Sequence, residues 1–432
     1  MMLVENNFPE DPRVRNEAHA LKQAGYEITV IALRNEHQRS VEEVGGIRVY
    51  RIPTVTFFDK RSQGASRLQQ LANRLTSVAG YLFEYFYFIS ASLVTSLYIL
   101  LKEGFDVIHT HTPPNVLFVT GALYRLLGKK FVLDHHDLSP ELYLSRFGAD
   151  RDLVYRILVI EEKLALRFAH LVIATNESYK RIEMKRANLT PEKIFVVRNG
   201  PDLNRIKLVA PDEKLKSMRK TILGYVGQIN PQDGLDYLLR SLKYLVEELR
   251  RTDFYCVVIG SGDALEALEA QVRELEIEDY VWLTGYVPDE DMLRYLSTAD
   301  ICVDPDPSSP LNDVSTWIKI MEYMALKKPI VSYDLPETRY SAQQAALYVP
   351  PNDEKKFAEA IVQLMDDPTE RARMGEAGYR RVIDTLAWQH VSKNLLSAYE
   401  TLLHKPSQKH TTPFPPSDEK MPRPQITHES TV

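Results

Sequence analysis

At 432 residues the chain is long enough for two domains with separate cores, and 44% hydrophobic with 26% charged residues reads as an ordinary soluble globular protein. A formal net charge of −6 argues against a dedicated nucleic-acid binder. Cys256 and Cys302 both sit in apolar, strand-like runs, so they read as reduced core thiols of a cytosolic protein rather than a disulfide or metal pair.

The start, Met1-Met2-Leu3-Val4 before Glu5-Asn6-Asn7, lacks the basic and apolar regions of a secretion signal and reads as a strand. Arg15–Gly25 predicts a helix closed by Gly25, and Tyr155–Phe168 another with apolar residues at helical spacing. Strands are expected at Ile28–Leu33, Val107–His109, Phe131–Asp134, Leu171–Ala174 and Ile194–Val197. Between them, Val78–Leu101 is almost wholly apolar, with Glu84 the only charge in 24 residues. That length could span a bilayer, but a crossing there would split one sheet across two compartments. A buried or membrane-touching helix is the better expectation, with Arg61, Arg67, Arg74, Phe57 and Phe58 suited to an acidic lipid surface.

Polar residues between Pro201 and Lys220 break the pattern and suggest a domain boundary near residue 205. The second half then repeats the scheme, with strands at Ile222–Val226, Phe254–Ile259, Tyr280–Leu283, Ile301–Val303 and Ile330–Tyr333 and helices such as Leu235–Leu249 and Ala264–Glu274. The fold class is therefore α/β, two doubly wound Rossmann-like domains over 1–205 and 206–385 with the active-site cleft between them. Residues 386–404 read as a closing helix and 405–432, rich in Pro, Ser, Thr and charge, as a disordered tail.

The most informative stretch is Asn312 to Ala325, a polar turn feeding a helix between two strands. Asp313, Ser315 or Thr316 could cap its first turn, whose free amides and positive dipole end suit phosphate. Lys319 and Glu322, three apart, share a face where a cation could meet a diphosphate and a carboxylate could accept from sugar hydroxyls. A plain surface ion pair is the simpler alternative. His136 and Asp137 follow the strand Phe131–Asp134 and so face the cleft, with His135 as a fallback and Glu141 one turn further on. Asp304-Pro305-Asp306 mimics an Asp-x-Asp metal motif, but the histidines read as too few and too dispersed for a ligand set, and no metal site is expected. Gly260-Ser261-Gly262 lacks the third glycine of a dinucleotide fingerprint and reads as a tight turn.

In their order, Asn6 to Arg15, His109-Thr110-His111, Asp134 to Asp137, Asn199-Gly200, Gly227, Pro231 to Gly234, Gly260 to Asp263, Gly285 to Pro288 and Lys319 to Ala325 give a chain that resembles retaining, nucleotide-sugar-dependent glycosyltransferases of the GT-B type, up to about Leu403. The resemblance implies a nucleoside-diphosphate-sugar donor, no metal or other cofactor, and a saccharide or lipid-linked acceptor in bacterial surface polysaccharide assembly. It implies a cytoplasmic protein in peripheral contact with the inner membrane face, and no nucleic-acid partner. It assigns catalysis to His136, Lys319 and Asp137. Donor contacts fall to Gly227, Gln228, Val287, Val314, Ser315, Thr316, Lys319 and Glu322, and acceptor contacts to Asn7, Arg13 and Glu141.

The chain departs from the family pattern where a diphosphate should sit. Val314 stands where many members carry glutamate, Gln228 where arginine follows the glycine, and Asp233 where lysine precedes Gly234. The resemblance then leaves the diphosphate to Lys319 and the amides of Val314 to Thr316, with Arg198 or Arg13 as substitutes. A non-catalytic scaffold of polysaccharide assembly, or a sugar-nucleotide epimerase or phosphorylase on the same fold, are the alternatives.

Overall fold

The computed structural model describes residues 1–35, 37–55, 67–147 and 151–403. Phe57, Phe58, Arg61 and the tail expected over 405–432 lie outside these residues.

The first sheet contains β1 (Met2–Asn7), β2 (Thr29–Arg34), β3 (Val41–Val44), β4 (Ile47–Pro53), β5 (Val107–Thr112), β6 (Lys130–His135), β7 (Leu171–Ala174) and β8 (Ile194–Val196). Their order is β3-β4-β2-β1-β5-β6-β7-β8, parallel throughout except for the β3–β4 hairpin. That hairpin turns on Gly45 and Gly46, whose φ of 57° and 74° suit a two-residue turn that only glycine, asparagine or aspartate adopts readily. The second sheet contains β9 (Thr221–Val226), β10 (Phe254–Ile259), β11 (Val281–Leu283), β12 (Ile301–Asp304), β13 (Ile330–Tyr333) and β14 (Ala346–Val349), all parallel in the order β11-β10-β9-β12-β13-β14.

Near-continuous burial along β5, β6, β10 and β12 is what a sheet covered on both faces demands. Each sheet accordingly separates two apolar clusters. In the second domain one contains Leu238, Leu242, Phe254 and Phe357, the other Ile320, Met324, Val257 and Ile330. The closing helix Trp388–Leu402 places Leu395, Ala398 and Tyr399 against Val14 and Ala18, so this helix packs back on the first domain.

The apolar segment lies within a helix over Arg67–Lys102. Among the described residues no helix is long and apolar enough to cross a membrane.

Candidate active site

The carboxyl ends of both sheets face a common cleft, and the loop after β12 crosses it. The helix behind that loop is Ile318–Ala325, flanked by Trp317 with no side-chain cap. It starts later than Asp313, Ser315 or Thr316 would set it, because these residues form a short 3-10 turn, Asn312–Val314, and its exit. The Val314 amide donates to Leu311 O (3.2 Å) and the Ser315 amide to Asn312 O (3.3 Å). Two of the amides assigned to a diphosphate are thus committed inside the loop. The expected cap residues do other work: Ser315 Oγ donates to Leu311 O at 2.8 Å and Asp313 accepts from Ser308 at 3.2 Å.

Lys319 does not reach an open phosphate site. Its Nζ lies 2.5 Å from Asp306 Oδ2 and 3.3 Å from Asp304 Oδ1, over the Tyr225 ring, and the residue is 8% exposed. Burial opposes its charge, but Asp306, Asp304 and Asp233 outweigh that and hold the ammonium ionised well above its ordinary range. The Asp-Pro-Asp run is therefore the counter-charge of a lysine. Asp233 joins it because Gly234, at φ +69°, brings its loop so close to Pro305 that a Cβ would lie 2.1 Å from the Pro305 carbonyl. Where the resembling family places a lysine in the loop, this chain has an acid in the loop and the lysine on the helix.

Asn176 caps the helix Glu177–Ala187 through Tyr179 N (2.7 Å) and donates across the cleft to Val314 O (2.8 Å) and Thr316 Oγ1 (3.0 Å). Tyr179 OH meets Ser315 Oγ at 3.1 Å. Arg198, offered above as a phosphate substitute, instead pairs with Glu337 at 3.0 Å and with Thr316 at 3.2 Å, and Ser178 donates to the same glutamate at 2.5 Å. These buried contacts latch the two domains together.

Glu322 points away from Lys319, toward a narrow crevice of about 20 Å³ lined by Arg13, Arg15, Asn199, Arg205 and Trp388. Arg205 Nη1 stands 3.4 Å from Glu322 and grips Asp289 with two bonds of 2.6 and 2.8 Å. Burial raises the Glu322 carboxyl and Arg205 partly offsets it. Arg13, on the first domain, is anchored by Asp11 at 2.8 Å, and despite burial that pair keeps both groups charged. Gly227 packs where Gly260 (φ +142°) approaches so closely that a Cβ would sit 1.8 Å from the Gly227 carbonyl. Gln228 is exposed, its carbonyl accepting from Tyr225 OH at 3.0 Å, and Val287 packs on the second-domain core.

On the first domain, β-strand alternation decides which histidine meets the cleft. Asp134 pairs in register with His111, and its Oδ2 lies 2.8 Å from both His111 Nδ1 and His136 Nε2. His136 is buried, with Nδ1 lacking any protein partner. Against the cost of burial, His136 and His111 hold Asp134 ionised well below the carboxylate range. His135 points to the opposite face, 2.8 Å from Glu183 and 3.6 Å from Glu162. Burial works against its proton, but the two carboxylates push it up to about 9. The fallback role therefore lapses. Glu141, given to the acceptor, is likewise taken by Arg186, which also holds Glu162. Asp137 is half-buried beyond His136, and Asn7 ends β1 with a buried, unpartnered Oδ1.

The histidines dispersed in sequence converge in space. Glu17, His109, His111 and Asp134 offer ligand atoms all within 4.8 Å of one another. The His-x-His spacing on one strand, which puts both rings on one face, was the available signal. Asn176, Tyr179, Arg205 and Glu337 carried no motif and emerge only from the domain packing.

Family models for group 1 glycosyl transferases and for glycosyltransferase family 4 match residues 220–367 and 13–205. The chain is 26% identical over 320 residues to an alpha-maltose-1-phosphate synthase of Mycolicibacterium smegmatis, covering 69% of this chain and 79% of that protein. It is 24% identical over 292 residues to an Escherichia coli UDP-Gal:alpha-D-GlcNAc-diphosphoundecaprenol alpha-1,3-galactosyltransferase, covering 64% and 70%. Among solved structures, sucrose-phosphate synthase from Thermosynechococcus elongatus superposes with a TM-score of 0.73 at 18% identity over 93% of this chain and 98% of that one. Anabaena HepE in complex with UDP-glucose gives 0.65 at 16% over 93% and 98%. With two such domains facing one cleft and a family model matching each, the chain belongs to the group 1, family 4 glycosyltransferases of the GT-B fold.

Proposed function

We propose that this glycosyltransferase moves a hexose, with retention, from a nucleoside-diphosphate sugar to a lipid-linked saccharide in the assembly of a bacterial surface polysaccharide. The observation that supports the donor assignment is the crevice where Arg13, Arg15 and Arg205 converge beside Glu322, a diphosphate there competing with Asp11, Asp289 and Glu322 for the guanidinium groups. Guanidinium groups bind phosphate oxygens bidentately, and a carboxylate across from them accepts from ribose or sugar hydroxyls. Lys319, already neutralised, acts on the donor through the shape of its loop. The diphosphate leaves toward the arginines and takes the proton of the acceptor hydroxyl that attacks on the same face. His136, held by Asp134, lies beneath the sugar with an unpartnered Nδ1 that a small opening of the cleft would bring to it, and no protein nucleophile or metal enters the transfer.

The lipid-linked acceptor is supported by an apolar surface on the first domain. Phe86, Val94, Leu97 and Leu101 of the helix Arg67–Lys102, Leu123 and Leu126 of the helix Phe118–Leu126, and Leu153, Ile157 and Ile160 of the helix Leu153–Phe168 are all exposed. The helices are neighbours, joined by Tyr124 OH to Ser96 (2.8 Å) and by the stacked rings of Phe118 and Phe168. Exposed Lys102, Arg125, Arg156 and Arg167 fringe them, as contact with an anionic membrane face requires. The galactosyltransferase relative is named for a diphosphoundecaprenol acceptor.

The test is a panel of UDP-, GDP- and ADP-sugars, read by thermal shift and by release of nucleoside diphosphate, with Glu322→Gln alongside. The variant should stay folded and bind the successful donor at least tenfold more weakly, a loss of about 1.5 to 3 kcal/mol for one charged hydrogen bond. No shift or turnover with any donor would favour the scaffold reading.

A further inference from the structure

We propose that Glu17, His109, His111 and Asp134 form a structural site for one divalent transition-metal ion of the zinc type, beneath the cleft and joined to His136 through the shared carboxylate of Asp134. The four residues come from the helix Pro12–Gln23, from β5 and from β6, and each is at most 2% exposed. His109 Nε2 lies 3.8 Å from both Glu17 Oε2 and Asp134 Oδ2, and His111 Nδ1 lies 2.8 Å from Asp134 Oδ2. Bonds of about 2.0 to 2.2 Å from nitrogen and oxygen to tetrahedral zinc set ligand atoms about 3.3 to 3.5 Å apart, so small side-chain shifts close the site.

The other buried ionic groups carry their own cations: Asp304 and Asp306 have Lys319, and Glu141 and Glu162 have Arg186. Among the described residues, Glu17 and Asp134 meet no lysine or arginine at ion-pair distance. His109 Nε2, Glu17 Oε2 and Asp134 Oδ1 all lack a hydrogen-bond partner although buried. Orphaned donors and acceptors this deep are costly unless something joins them. The free ring nitrogen of His109 is held by Tyr399 OH at 2.9 Å, the outer support typical of a ligating histidine. Two imidazoles with two carboxylates suit zinc better than magnesium or calcium. The ion would tie the first domain's central strands to the helix Pro12–Gln23 and, through Tyr399, to the closing helix.

The rival is a metal-free network in which burial and Asp134 keep Glu17 protonated, the proton being shared between the two carboxyls. The two differ in sign. Untagged full-length protein, its Glu17→Gln and its Tyr399→Phe variants would be analysed for zinc by plasma mass spectrometry, before and after EDTA dialysis, and after reloading with Co²⁺. We expect about one ion per chain, a lower Tm in EDTA, visible Co²⁺ d–d bands, loss of the ion in Glu17→Gln and about 10- to 100-fold weaker binding in Tyr399→Phe. Below about a tenth of an ion per folded chain after incubation with zinc, and a Tm that EDTA leaves unchanged, the proposal is wrong. In that case Glu17→Gln should hold or raise the Tm.

Discussion

Lys319 is a buried cation whose neighbours are three carboxylates, Asp306, Asp304 and Asp233. Removing it leaves acids without compensation in a dry interior, which ordinarily costs about 3 to 5 kcal/mol. Lys319→Ala should therefore lower the Tm steeply, and loss of activity in that variant would say little about the donor. Adding Asp306→Asn should recover a large part of the stability, and additive losses in denaturant titrations would show that the two residues do not act as a unit. The lysine and its helix were legible in the sequence. Its partners were not, because a motif with two aspartates looks the same whether it holds a metal or a lysine.

The alternation at the end of β6, continued by the residue after it, sorts three consecutive residues into two chemistries: Asp134 and His136 serve the cleft side, whereas His135 belongs to a buried ionic group with Glu183 and Glu162. Its folded value of about 9 stands above the ordinary 6.5. The protonated ring therefore adds its full stability below about pH 6.5 and loses it as pH rises through 9. Chemical denaturation between these limits should show stability falling with pH in the wild type and a flatter profile in His135→Gln. Equal slopes would mean that His135 is not the titrating group. Most strands could be read from apolar runs such as Phe254–Ile259, whose limits the structure repeats. The β3–β4 hairpin escaped because Val41–Val44 is half acidic and carries no clear alternation, although Gly45-Gly46 marked the turn. The start of the helix Ile318–Ala325 escaped because Asp313, Ser315 and Thr316 all offered a cap and left its first turn ambiguous.

For the molecule as a whole, the exposed stripe on three neighbouring helices sets a prediction separate from catalysis. Leu126→Glu, Leu153→Glu and Ile157→Glu together should leave the fold intact, since Leu126 and Leu153 are 81% and 72% exposed. They should abolish co-sedimentation with vesicles containing anionic lipid while leaving hydrolysis of a soluble donor unchanged. Undiminished sedimentation would remove this surface from the lipid reading. The two-domain plan was legible because strand and helix alternate twice along the chain. The latch was not, since Asn176, Arg198 and Glu337 come together only when one domain is laid on the other.

The chain contains three tryptophans, Trp282, Trp317 and Trp388. Trp317 closes the crossing loop, its ring 5.6 Å from Lys319 Nζ, and Trp388 lines the arginine crevice, whereas Trp282 packs on Tyr295 in the second domain. Two of the three native fluorophores thus sit where the domains part, one of them on the wall of the proposed donor site. Intrinsic emission, compared with Trp317→Phe and Trp388→Phe, should follow opening and filling of the cleft in real time without a label.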